Sequence, residues 1–172
     1  TVMRKPLFVD TGVIFDYTKR YRYKLWRTWG DGGRMAHFIM LNPSTADDKV
    51  LDPTVTRCLS FALSWSCDGM VVTNLFALRS TDPNALYDEE DPIGDDTDNY
   101  IRAAADRCDI NICAWGVHGA YLERGRAVAE LLRPFNPKCF GLTQAGHPKH
   151  PLYLKSTTEL VAYAPVLVEE PA

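Results

Sequence analysis

Four short stretches hold most of the side chains that could do chemistry. The first is Leu41-Asn42-Pro43-Ser44-Thr45-Ala46-Asp47, followed closely by Asp52-Pro53-Thr54. An Asn amide carries both an acceptor and a donor, so Asn42 can hold a water or read an amide-like edge of a base. Pro43 stiffens the backbone beside it. The same residues also suit a purely structural role, an Asn-Pro turn with Ser44 or Thr45 capping a helix. The second stretch runs from Thr73 to Pro83 and contains Asn74, Phe76 and Arg79. Phe76 could stack on a planar ring or fill the core. Arg79 is a candidate ligand for phosphate or carboxylate.

The third stretch is Ala114-Trp115-Gly116-Val117-His118-Gly119-Ala120. Its glycines allow a close backbone approach to a ligand at a helix start. The fourth runs from Leu142 to Leu152 and includes His147-Pro148-Lys149-His150-Pro151-Leu152. Two prolines restrict this loop, which favours accurate placement of either His147 or His150. A metal site would have to combine His147 and His150 with Asp47 or Asp52. No recognised ligand spacing supports it, so neither metal nor cofactor is expected.

These stretches need a scaffold that brings them together. Each follows a short apolar run, at residues 36–41, 70–75, 110–115 and 138–142. Such runs read as strands covered on both faces. Helical patterns lie between them, at 54–65, 95–107 and 120–132. The alternation predicts a three-layer α/β domain with a central, mainly parallel sheet of about four strands. Residues 7–29 alternate aromatic and basic side chains, which predicts an antiparallel hairpin ahead of the core. We read residues 1–34 as an N-terminal extension, 35–155 as the core and 156–172 as a C-terminal tail of a single domain. Ligands of such sheets bind beyond the carboxyl ends of the strands, where all four stretches fall.

Composition narrows the functional classes. The 172 residues are 46% hydrophobic and 24% charged, as in ordinary globular domains. No apolar run approaches the roughly 20 residues of a membrane helix, and no signal peptide is evident. The five cysteines, Cys58, Cys67, Cys108, Cys113 and Cys139, show no Cys-x-x-Cys pair. They read as reduced thiols of a cytoplasmic protein. A net charge of −3 gives no support to tight, sequence-blind DNA binding. The charge is uneven, however. Residues 4–34 carry Lys5, Lys19, Arg20, Arg22, Lys24, Arg27 and Arg34, whereas residues 82–98 are acidic. The basic segment could face an anionic ligand or form a solvated hairpin surface.

The order of the motifs resembles the uracil-DNA glycosylase superfamily. Leu41-Asn42-Pro43-Ser44 is similar to the Asn-Pro form of its water-activating loop, as in the mismatch-specific branch. Thr73-Asn74-Leu75 is similar to its base-reading strand end. Trp115-Gly116-Val117-His118-Gly119-Ala120 resembles its Trp-Gly segment, and His147-Pro148-Lys149-His150-Pro151-Leu152 its His-Pro-Ser-Pro-Leu loop. The Gly-Gln-Asp-Pro-Tyr-His string of the uracil-specific branch is missing, and Lys149 stands where a small Ser is usual. Over residues 20–155 the motifs more closely resemble an uncharacterised bacterial and phage family of unknown function.

The resemblance implies a glycosylase-like fold and hydrolysis of an N-glycosidic bond, acting on a modified or mismatched base in DNA or on a nucleotide. It implies that Asn42 orients water and that His147 or His150 stabilises the departing base. Asn74 would read the base edge and Phe76 stack on it. Arg79 and Lys149 would hold phosphates, Leu152 would wedge a duplex, and Pro43, Ser44, Thr45, Trp115 and Gly116 would shape the site. The alternatives are a non-catalytic nucleic-acid or nucleotide-binding module on the same fold, and a metal-dependent hydrolase.

Overall fold

A computed structural model describes residues 6–164. Arg4 and Lys5 of the basic segment, and the end of the C-terminal tail, lie outside them. The chain is α/β, and among the described residues it has one mixed sheet of seven strands and three α-helices. The strands are β1 (Asp10–Phe15), β2 (Arg22–Thr28), β3 (Met35–Met40), β4 (Gly69–Asn74), β5 (Ile110–Cys113), β6 (Lys138–Cys139) and β7 (Val161–Ala162). The helices are α1 (Pro53–Ser64), α2 (Thr97–Arg107) and α3 (Arg124–Leu132).

The spatial order is β1-β2-β4-β3-β5-β6-β7. β3 runs parallel to β4 and β5, and β5 parallel to β6, whereas β1–β2, β2–β4 and β6–β7 are antiparallel. The sheet is wider than the expected four mainly parallel strands with an added hairpin, with seven described strands and both senses of pairing. The hairpin is not an appendage: Leu25 to Thr28 of β2 pair with Val72 to Gly69 of β4. Residues expected to be a tail contribute β7 against β6.

Helices cover both faces. On one, Val55, Cys58, Leu59 and Phe61 of α1 meet Leu25, Phe38, Met70, Val72 and Ile112. On the other, Ile101 of α2 and Val128 and Leu132 of α3 meet Ile39, Leu75, Cys113 and Cys139. This double cover is why β3, β4 and β5 read as near-continuous apolar runs. α1 starts where the sequence signals it. Asp52 is the N-cap and accepts from the Val55 amide, and Pro53 takes a first-turn position that needs no N–H. The helix expected from residue 120 starts only at Arg124, because Leu122 and Glu123 adopt left-handed backbone at φ 54° and 55°. β6 is short because Gly141, at φ 102°, turns the chain away.

A buried polar row crosses the α2 face. His37 Nδ1 donates to Asn111 Oδ1 at 2.8 Å, and its Nε2 accepts from the Thr73 hydroxyl at 2.8 Å. Asn111 passes the pattern on to the Ala105 carbonyl of α2. All five cysteines are free, and burial pushes the Cys108 thiol up to about 12. Among the described residues no helix is long and apolar enough to cross a membrane.

Candidate functional site

The carboxyl ends of β3, β4 and β5 open, together with the start of α1, into a cleft of about 390 Å³. Its lining includes Asn42, Pro43, Ser44, Asn74, Trp115, Gly116, His150 and Leu152 from the sequence candidates. Arg22, Asp52, Thr54, Ser80, Thr81 and His118 complete its polar side. In parallel α/β sheets the strand ends and the following helix N-termini converge on one edge, which explains the gathering.

The loops are laced to one another by backbone bonds. Leu75 and Phe76 amides donate to the Met40 and Leu41 carbonyls, and the Ser80 amide to Pro43. The Gly116 amide donates to Pro148 at 2.9 Å, tying the Trp-Gly loop to the His-Pro loop. Arg124 of α3 holds the end of β4 from the opposite face: its Nε and Nη2 donate to the Leu75 carbonyl while Nη2 also pairs with Asp98 at 2.6 Å.

Asn42 donates through Nδ2 to the carbonyls of Ser80 at 3.0 Å and Pro43 at 3.3 Å. Among the described residues no hydrogen bond reaches its Oδ1. Asn74 is 2% exposed, and among the described residues neither its Nδ2 nor its Oδ1 has a partner. A buried amide left unpaired costs about 1–3 kcal/mol, so an orphan on a cleft wall points to a ligand or ordered water. His150 accepts from the Leu152 amide at Nδ1, 3.2 Å away, which leaves Nε2 as the protonated donor of the neutral ring. Burial lowers its pKa from the ordinary value, with Asp52 opposing. Asp52 is committed: Oδ1 accepts from the Val55 amide at 2.8 Å and Oδ2 from the Ser44 hydroxyl at 3.1 Å.

Trp115 closes one wall, and two glycines make room for its ring. A Cβ at Gly119 would fall 2.1 Å from Trp115 Cδ1, and one at Gly125 2.9 Å from Nε1. Gly116, at φ 74°, turns the chain into the cleft. The glycines thus serve the indole as much as any ligand.

Five sequence candidates lie outside the cleft lining. Phe76 is fully buried in the core beneath Tyr121, so its ring is already packed. Arg79 sits over the Phe15 ring and donates to the Lys19 carbonyl, bracing the hairpin. Thr45 and Lys149 are exposed. His147 borders a different cavity, with Gln144 and Tyr163. Of the two histidines, only His150 shares the cleft with Asn42 and Asn74. The set proposed for a metal is accordingly divided, and among the described residues no three His, Cys, Asp or Glu side chains cluster as ligands.

Arg22 was not singled out by type or spacing as a site residue. Strict alternation along β2 sets it on the face opposite Leu25 and Arg27. The β1–β2 register shifts between the pairs Ile14–Lys24 and Phe15–Arg22, leaving Tyr23 as an extra residue. Tyr23 then stacks on Tyr100 of α2, and Arg22 reaches the Ala46 carbonyl on the α1 side. Arg27 supports the same loop through the Asp47 carbonyl. A run of basic residues among strand aromatics was the available signal.

The model of the family described as "Protein of unknown function (DUF1643)" matches residues 22–152, a span that starts at Arg22 and ends at Leu152, both on the cleft. The chain belongs to this family. The match covers β2 to the His-Pro loop, hence every strand end that forms the cleft. Searches of curated proteins and of solved structures return no match.

Proposed function

We propose that this chain hydrolyses the N-glycosidic bond of a nucleobase, in DNA or in a nucleotide, on a fold related to the uracil-DNA glycosylases. The observation that carries the reading is the unpartnered amide of buried Asn74 in the same cleft as Asn42 and His150. An Asn amide pairs with a complementary donor–acceptor edge of a planar base. Bond cleavage leaves positive charge on the sugar and negative charge on the base. The free Oδ1 of Asn42 would orient the attacking water, which adds its oxygen to the sugar carbon while its proton ends on the departing base anion, so no proton transfer is asked of the amide. The Nε2–H of His150 would donate to the oxygen or nitrogen that gathers charge on the departing base. Trp115 would flank the ring in place of the buried Phe76, and Leu152 would stand at the cleft as a wedge for a base drawn from a duplex.

The test is a screen of purified protein against single- and double-stranded oligonucleotides and free nucleotides carrying varied bases, read by abasic-site formation and released base. Base release that disappears with Asn42→Ala supports the proposal. Tight binding of a substrate without release favours a binding module on the same fold.

A further inference from the structure

We infer that Arg22, with the N-terminal turn of α1, is the seat of an oxyanion carried by the ligand of this cleft. Arg22 is 2% exposed and lines the cleft. Its Nη1 donates to the Ala46 carbonyl at 3.0 Å, and among the described residues its Nε has no partner. Among the described residues its guanidinium forms no ion pair with a carboxylate. Burial lowers its pKa only to about 10, so it remains a cation at neutral pH. An unpaired charge is costly inside a protein and is normally met by an opposite one. Asp52 and Asp47 act on it from a distance and offset part of that cost, but Asp52 gives its oxygens to the Val55 amide and the Ser44 hydroxyl rather than to the guanidinium.

A second, independent feature points the same way. α1 has 12 residues, and Thr54 and Val55 of its first turn line the cleft that Arg22 lines. The start of a helix carries partial positive charge that favours an anion; here Pro53 has no N–H and the Val55 and Thr56 amides are taken by Asp52, which leaves the Thr54 amide for a ligand. Arg79 and Lys149, the residues whose type suggests phosphate binding, do not reach this cleft. Because Arg22 is so deeply placed, the anion has to enter the cleft itself. That suits a terminal phosphate or a carboxylate, and disfavours a phosphodiester flanked by nucleotides on both sides. The inference concerns binding alone and does not depend on bond cleavage.

The experiment titrates the full chain with inorganic phosphate, acetate, a nucleoside and its 5′-monophosphate, at ionic strength matched with chloride, by calorimetry and thermal unfolding. Phosphate is expected to bind and to raise Tm, and the monophosphate to bind at least tenfold more tightly than the nucleoside. Acetate binding without phosphate binding would assign the anion as a carboxylate, and the nucleotide advantage would then vanish. Arg22→Lys keeps the charge but loses the planar fork, and should weaken the oxyanion at least tenfold. Should that variant not fold, Thr54→Asp decides: a carboxylate at this helix position favours the helix and should weaken phosphate by a similar factor. Equal affinity of wild type and Thr54→Asp, or failure of both anions to bind, would overturn the inference.

Discussion

The Nδ2 of Asn42 donates to the backbone carbonyl of Ser80 at 3.0 Å, joining the loop after β3 to the loop after β4. That bond fixes which way the amide points. The donor is used by the protein and the acceptor is left for the cleft. Asn42→Ala should therefore lower single-turnover base release by on the order of a hundredfold while sparing affinity, since positioning losses fall on the chemical step. Asn42→Asp should be worse for the fold, because it sets a carboxylate oxygen against two carbonyls and removes their donor, costing about 1–3 kcal/mol. Rates and affinities measured side by side decide it. An Asn42→Ala protein that turns over at the wild-type rate would end the water-orienting role.

The two histidines of the last loop should separate cleanly. His150 lines the cleft and His147 does not. His150→Ala should lower the chemical step by roughly the hundredfold or more that a lost electrostatic donor costs. His147→Ala should leave it within about twofold, as expected of a residue outside the reaction site. Burial lowers the His150 pKa from its ordinary 6.5, so the ring is neutral at pH 7. Protonation would also abolish the Nδ1 acceptor used by the Leu152 amide. The rate should be flat above pH 6.5 and decline only at lower pH. A rate that climbs as pH falls through 6.5 would contradict a neutral donor.

His37 predicts an acid-sensitive fold. It is fully buried, and desolvation brings its pKa down from 6.5 to about 4. Between those two pH values the unfolded chain takes up a proton that the folded chain refuses. Stability from this site is thus complete above about pH 6.5 and is lost as pH falls toward 4. Urea unfolding of wild type and His37→Gln at pH 7, 5.5 and 4.5 measures it. The variant should start less stable and lose less on acidification. Identical acid slopes for the two proteins would exclude His37 as the source.

Gly119→Ala should destabilise through Trp115. The new methyl would lie 2.1 Å from the indole, whose ring is 2% exposed and has little space to retreat. Overpacking of this kind costs about 1–3 kcal/mol, which lowers Tm by several degrees in a chain of this size. The cleft should loosen with it, since Trp115 is one of its walls. Thermal unfolding together with Trp fluorescence reads both. Gly146→Ala is a useful contrast: nothing lies within 4 Å of its added Cβ, but its φ of 87° carries a backbone cost that leaves Trp115 undisturbed.

The alternation of apolar runs and amphipathic stretches was enough to predict an α/β chain, because doubly covered strands and one-sided helices differ in hydrophobic period. The starts of α1 and β4 follow from Asp52-Pro53 and the run 70–75. That the loops after the parallel strands share an edge follows from a topological rule read from the order of the segments. These features are local in sequence, so the sequence by itself determined them. Other features depended on contacts between distant segments. The pairing of β2 with β4, and of β7 with β6, joins strands whose separation no local pattern records. A bulge at Tyr23 turned Arg22 toward α1, and one extra residue reverses every side chain beyond it. Phe76 went to the core and His150 rather than His147 to the cleft, because burial of a given side chain is settled by what packs over it. Residue type could nominate a cation for an anion site. Only the tertiary structure chose Arg22 over Arg79, by setting one guanidinium on the cleft wall and the other over Phe15 with a bond to the Lys19 carbonyl.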